Sequence, residues 1–147
     1  MPAGFMIELT CDAPPDDVLR RVLDLRAHSR VIPLTRVTPE MAADQLAVGA
    51  VFVARTSVGP VGFDDPMRVD QLSFRPATVT IVKLGKAIGG AVCIRVDPTT
   101  GGSRMRWEQS VDLPWLPQVL QPATARVLRG GYRRILRRLM KASLPAS

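Results

Sequence analysis

The chain is poor in the side chains that most enzymes use. It has one histidine, two cysteines and one tyrosine among 147 residues, and aromatic residues make up 5%. A structural zinc site needs about four ligands, and Cys11, Cys93 and His28 do not supply them at metal-ligand spacing. With one histidine and no nucleophile-elbow motif, a Ser-His-Asp hydrolase has little support. Gly59, Gly62, Gly89, Gly90, Gly101 and Gly102 punctuate turns and strands and form no phosphate-cradling loop. Neither a metal nor a cofactor is expected. No uncharged apolar run approaches the roughly 20 residues of a membrane span. The opening MPAGFMIELTCD shows neither the basic region nor the apolar stretch of a signal peptide. These features read as a cytoplasmic protein with reduced thiols.

One further absence is local. No acid follows Asp112, so Arg126, Arg129, Arg133, Arg134, Arg137, Arg138 and Lys141 supply the whole net charge of +7. Between them run Thr124, Leu128, Gly131, Tyr132, Ile135, Leu139 and Ala142. At 100° per residue these form one apolar stripe with the cations opposite. The spacing predicts a helix over roughly 118–142 that lays Leu128, Tyr132, Ile135 and Leu139 on an apolar partner. Gly130 and Gly131 are expected to let the backbone approach that partner or to leave room in a cavity.

The partner reads as a sheet. Phe5, Ile7, Leu9 and Cys11 alternate with Met6, Glu8 and Thr10 in a half-buried strand. Pro14-Pro15-Asp16-Asp17 then opens a helix, proline suiting a first turn and acids the positive end of the dipole. That helix frays by His28-Ser29, and Pro33 stops it. Segments 34–38, 49–58, 63–74, 78–84, 87–96 and 103–113 read as strands, joined by short turns such as Gly59-Pro60 and DPTTGG. Short connections mean an antiparallel meander, in one domain over residues 1–147.

A strand, a helical insertion, six more strands and a long terminal helix is the order of the α+β helix-grip fold, a curved seven-stranded antiparallel sheet wrapped around the last helix. Specific stretches resemble the START/Bet v 1-like (SRPBCC) superfamily in its bacterial polyketide cyclase/dehydrase and lipid-transport branch. They are Ala13-Pro14-Pro15 leading into Val18, Asp24-Leu25-Arg26-Ala27-His28 with Pro33 following, Val48-Gly49-Ala50 before Phe52, Gly62-Phe63-Asp64-Asp65-Pro66-Met67, and Met105-Arg106-Trp107. The resemblance implies a cavity between sheet and helix for an apolar or amphipathic small molecule. It carries over no catalytic residue.

Strand parity, read by turning charges to water, selects a cavity wall. Arg55 outward sends Phe52, Ala54 and Thr56 inward. Arg68 and Asp70 outward send Asp65, Met67, Val69 and Gln71 inward. Arg104, Arg106 and Glu108 outward send Met105, Trp107 and Gln109 inward. Strand 78–84 resists this rule, because Lys83 outward would put Thr80 in and Ile81 out. Leu128, Tyr132 and Ile135 of the last helix roof the chamber. Asp65 reads either as a general base or hydroxyl acceptor, or as a strand-end carboxylate beside a bulge at Pro66. Gln71 and Gln109 orient a polar ligand head or bond each other. His28, flanked by Arg26 and Arg30, is expected in solvent.

Three functions follow. The first is a binding protein for a hydrophobic or aromatic small molecule, lipid or polyketide-like. The second is a cyclase, aromatase or dehydratase acting on a poly-keto substrate, with Asp65 its candidate acid or base. The third is an interaction module that docks through its Arg-rich helix. Weak contact of Arg126, Arg129, Arg133, Arg137 and Lys141 with an anionic membrane is compatible with each. Nucleic acid is disfavoured, because the few aromatics look buried and no recognition motif is present.

Overall fold

The computed structural model describes residues 3–85 and 89–141. Strands are β1 (Ala3–Cys11), β2 (Thr35–Thr38), β3 (Val51–Val58), β4 (Val61–Phe74), β5 (Ala77–Lys83), β6 (Ala91–Thr99) and β7 (Gly102–Val111). Helices are α1 (Pro15–Val22), α2 (Leu25–Val31) and α3 (Gln121–Lys141), with short 3-10 turns at Ala43–Gln45 and Gln118–Leu120. The strands form one antiparallel sheet ordered β1-β7-β6-β5-β4-β3-β2, a meander that β1 completes by pairing with β7. This is the expected helix-grip arrangement. Residues 86–88, at the start of the segment read as strand 87–96, lie outside the described residues, as does Ala142.

The two prolines and two acids open α1 as expected, with Pro15 in the first turn and Asp16 and Asp17 beside it. The single predicted helix is two, however. Asp24 caps α2 by accepting from the Arg26 backbone N–H at 3.1 Å, and Oδ1 also takes the Arg26 Nε at 2.9 Å. A side chain that offers the backbone an acceptor ends one helix and starts another. The second helix then runs past His28 to Val31.

Two close approaches join β1 and β6 to β7. A Cβ on Gly102 would stand 2.1 Å from the Cys11 carbonyl oxygen, and one on Gly90 2.1 Å from that of Ser110, so only glycine fits either place. Ser103, fully buried, donates its hydroxyl to the Ala13 carbonyl and pins the chain leaving β1 to the start of β7. The core continues through Ile7, Val18, Leu19, Val22, Val79, Ile94 and Met105.

On α3 the buried arc is shifted from the expected stripe. Ala125, Leu136 and Leu139 are buried, while Leu128, Tyr132 and Ile135 are half-buried. The helix packs against α1 and α2 as well as β1, so it buries an arc that a sheet alone would not cover. Gly131 is exposed, and a Cβ at Gly130 or Gly131 would meet nothing within 4 Å. Neither glycine serves a close approach.

Candidate functional site

Between α3, α2 and the concave face of the sheet lies a cavity of about 240 Å³. Its wall holds nine of the expected residues: Phe52, Ala54 and Thr56 of β3, Asp65 and Met67 of β4, and Trp107 of β7, from strand parity, and Leu128, Tyr132 and Ile135 of α3, from the helical stripe. Trp107 and Tyr132 stack tilted with ring centroids 5.8 Å apart, and the Phe5 centroid stands 5.6 Å from that of Tyr132. Most of the remaining wall is apolar, with Val22, Leu25, Val37, Ile81, Val92 and Ile94 among its members.

Four expected wall residues are elsewhere. Val69 and Met105 are fully buried in the core and do not reach the cavity. Gln109 is buried but turned to Trp107, accepting from its indole N–H at 3.1 Å, so it orients the ring rather than facing the open space. Gln71 is exposed. The β4–β5 register shifts between Val69 and Gln71, which places Gln71 opposite Thr80 and turns Leu72 inward in its stead. A bulge inverts parity for everything beyond it. That bulge is at Asp70, not at Pro66, which pairs in register with Val53.

The main addition is Lys83. On β5 the inward residues are Val79, Ile81 and Lys83, all buried. Lys83 pairs with Met67 across β4–β5, and Asp65 lies two residues along the same face. The Lys83 ammonium therefore meets the Asp65 carboxylate inside the cavity, donating to Oδ2 at 2.5 Å. Side-chain exposure is 3% for Lys83 and 12% for Asp65. Nζ lies 3.9 Å from the Met67 sulfur, a weak acceptor. The second carboxylate oxygen, Oδ1, is buried without a hydrogen-bond partner among the described residues. Adjacent Asp64 points to the opposite face and pairs with Arg55 at 3.0 Å. The period of Val79 and Ile81 carried the signal for Lys83; the assumption that lysine seeks water obscured it.

Three more polar side chains, Thr35, Thr56 and His28, border the cavity. Thr35 and Thr56 share a hydrogen bond at 2.9 Å across β2–β3. His28 is half-buried, contrary to the expectation of exposure, and its Nε2 lies 2.6 Å from the Val22 carbonyl oxygen. Burial pushes its pKa below the usual 6.5, against the opposing pull of the Val22 carbonyl and Asp24. A neutral ring with Nε2 protonated donates to that carbonyl. Away from the cavity, Cys11 is buried and burial raises its thiol pKa, while Cys93 is exposed; both are free thiols.

The cationic face of α3 is outside this chamber. Arg126, Arg134, Arg137 and Arg138 are exposed, and Arg129 donates through Nε to the Met6 carbonyl at 2.9 Å. Arg133 is half-buried and lines a separate groove with Arg21 and Arg137. The Lys141 side chain lies outside the described residues. Among the described residues, no helix is long and apolar enough to cross a membrane.

A family model described as polyketide cyclase / dehydrase and lipid transport matches residues 5–143. No curated protein matches the sequence. Solved structures share the fold at low identity. Protein CV1439 from Chromobacterium violaceum superposes with TM-score 0.71 at 18% identity, over 99% of this chain and 100% of that one. The Zhui aromatase/cyclase from Streptomyces sp. R1128 gives 0.70 at 14%, over 96% and 93%. Ara h 8.0201 gives 0.67 at 13%, over 95% and 98%.

Proposed function

Because the chain belongs to the polyketide cyclase/dehydrase and lipid transport family, we propose that it binds a small, mostly apolar molecule in the cavity beneath α3. The observation that carries this reading is a space of about 240 Å³ with aromatic and aliphatic walls and one ion pair. Ligand sites are commonly built this way, apolar surface supplying affinity and a few polar groups fixing orientation. Phe52, Ala54, Thr56, Asp65, Met67, Trp107, Leu128, Tyr132 and Ile135 are its proposed contacts, with Lys83 added. In a Trp115→Phe variant Trp107 is the only indole. Titration with the neutral probe phenylnaphthylamine is expected to change its emission with saturation. A linear response, or none, across several neutral probes contradicts the reading.

The Asp65–Lys83 pair supports a second reading, a cyclase or dehydratase on a poly-keto chain. Asp65 would take a proton from the carbon between two carbonyls, and the Lys83 ammonium would stabilise the enolate oxygen, while the walls confine the chain to one conformer. Asp65→Asn then abolishes turnover and leaves affinity nearly intact; in a carrier it alters affinity modestly, and no product forms with either protein. The exposed arginines of α3 support only a weak, salt-sensitive attraction to anionic membrane, which a vesicle sedimentation series in rising salt would detect.

A further inference from the structure

We propose that the Asp65–Lys83 pair selects neutral ligands bearing a hydroxyl group and turns away carboxylates; the inference rests on the cavity being the ligand chamber proposed above. Two buried side-chain polar atoms lack a hydrogen-bond partner among the described residues, Asp65 Oδ1 and Arg133 Nε, and of these two residues Asp65 is the one on the cavity wall. Lys83 is committed to the other carboxylate oxygen, at 2.5 Å, and Nζ also lies 3.9 Å from the Met67 sulfur. The pair thus holds one unmet acceptor, buried at the edge of the cavity, beside an ammonium with N–H groups to spare.

A hydroxyl matches both. Its proton satisfies Oδ1, and its oxygen can accept from Lys83. A hydrocarbon leaves the buried acceptor unmet, which is how a site built for a hydroxyl rejects the analogue lacking one. A carboxylate brings a second negative charge and no proton to a place where one cation already balances one anion, and like charges in a water-poor site repel strongly. An amine brings donors, but its charge adds to that of Lys83. The ligand is therefore neutral at its polar end. In size, a cavity of about 150 Å³ accommodates benzene, so about 240 Å³ suits two fused rings or a comparable aliphatic body.

The test is calorimetric titration of the full chain at neutral pH with naphthalene and its naphthol and naphthoate derivatives, substituted at the same ring position. Naphthalene is the most apolar, so burial alone ranks it first. The proposal expects naphthol to bind roughly tenfold or more tighter than naphthalene, with naphthoate the weakest. In the double variant Asp65→Leu/Lys83→Met, naphthalene binding persists and the preference for naphthol disappears. Equal binding of naphthol and naphthalene by the wild type, or naphthoate binding tightest, overturns the proposal while leaving the chamber intact. Retained naphthol preference in the double variant also overturns it. Binding of none of the three removes the chamber reading and this inference with it. The wild-type series requires no variant, so it stands even if the double variant fails to fold.

Discussion

The two sides of α3 meet different surroundings. On one side Leu136 and Leu139, each 1% exposed, join the solid core that includes Ile7, Leu19 and Met105. On the other, Leu128, Tyr132 and Ile135 are half-buried and border an open cavity whose far wall carries a buried ion pair. One helix thus both closes the fold and roofs a space. Where the interior is filled, packing determines stability; where it is open, the residues are available for recognition, and their loss should cost the fold less.

Mutations can break that contrast. The largest effect is expected at the ion pair. Lys83→Met leaves the Asp65 carboxylate buried without its cation and should destabilise by about 3–5 kcal/mol in denaturant melts. Replacing both partners with apolar residues, as in Asp65→Leu/Lys83→Met, should recover most of that loss. If the single variant is as stable as the wild type, the pair is more solvated than its burial indicates.

Next come the two sides of α3 themselves. Leu136→Ala or Leu139→Ala should cost about 2–5 kcal/mol, the range for deleting a buried leucine. Leu128→Ala should cost well under half as much, because its side chain already faces open space. Equal losses would mean that the cavity side is packed like the core.

A smaller change runs the other way. A Cβ at Gly130 or Gly131 meets nothing within 4 Å, so alanine at either should raise stability by about 1 kcal/mol through helix propensity. A loss would show that the backbone there needs glycine.

The smallest effect concerns His28, at the cavity margin. Its folded pKa is depressed below 6.5 by burial, so the unfolded chain takes up a proton at a pH where the folded chain does not. Stability from this source is complete above pH 6.5, falls as pH drops below it, and levels off once the folded ring also protonates. Thermal melts across that window should show a downward slope in the wild type, shallower in His28→Gln. An identical slope would place the proton uptake elsewhere.

Much of this contrast was legible in the residues. Charges at Arg55, Arg104, Arg106 and Glu108 faced water as assumed, so β3 and β7 displayed their inner faces correctly, Trp107 and Phe52 included. Parity misleads where contacts come from other strands or a bulge intervenes. Lys83 points inward because Asp65, distant in sequence, satisfies it, and one-dimensional parity cannot register a partner on another strand. Gln71 was inverted by a bulge at Asp70 that no glycine or proline announces. Asp24 split a helix whose apolar spacing reads as continuous, and Leu136 lies outside the expected stripe yet is buried on a helix that packs against α1 and α2 as well as β1. His28 looked solvated between two arginines, yet on a helix such neighbours point away from it. The fold depended on periodicities repeated along whole elements; the site depended on pairings between elements.

The proposed ligand chamber is the space beneath α3, while the interior around Ile7, Leu19 and Leu139 is packed core. Chemical-shift mapping on the labelled full chain, with a saturating neutral naphthalene-type ligand, tests it directly. Saturable shifts are expected at the Trp107 indole N–H, the Leu128 and Ile135 methyls and Met67, with Ile7, Leu19 and Leu139 nearly unmoved. Shifts confined to the exposed face of α3, or spread evenly through both sides of the interior, would contradict it.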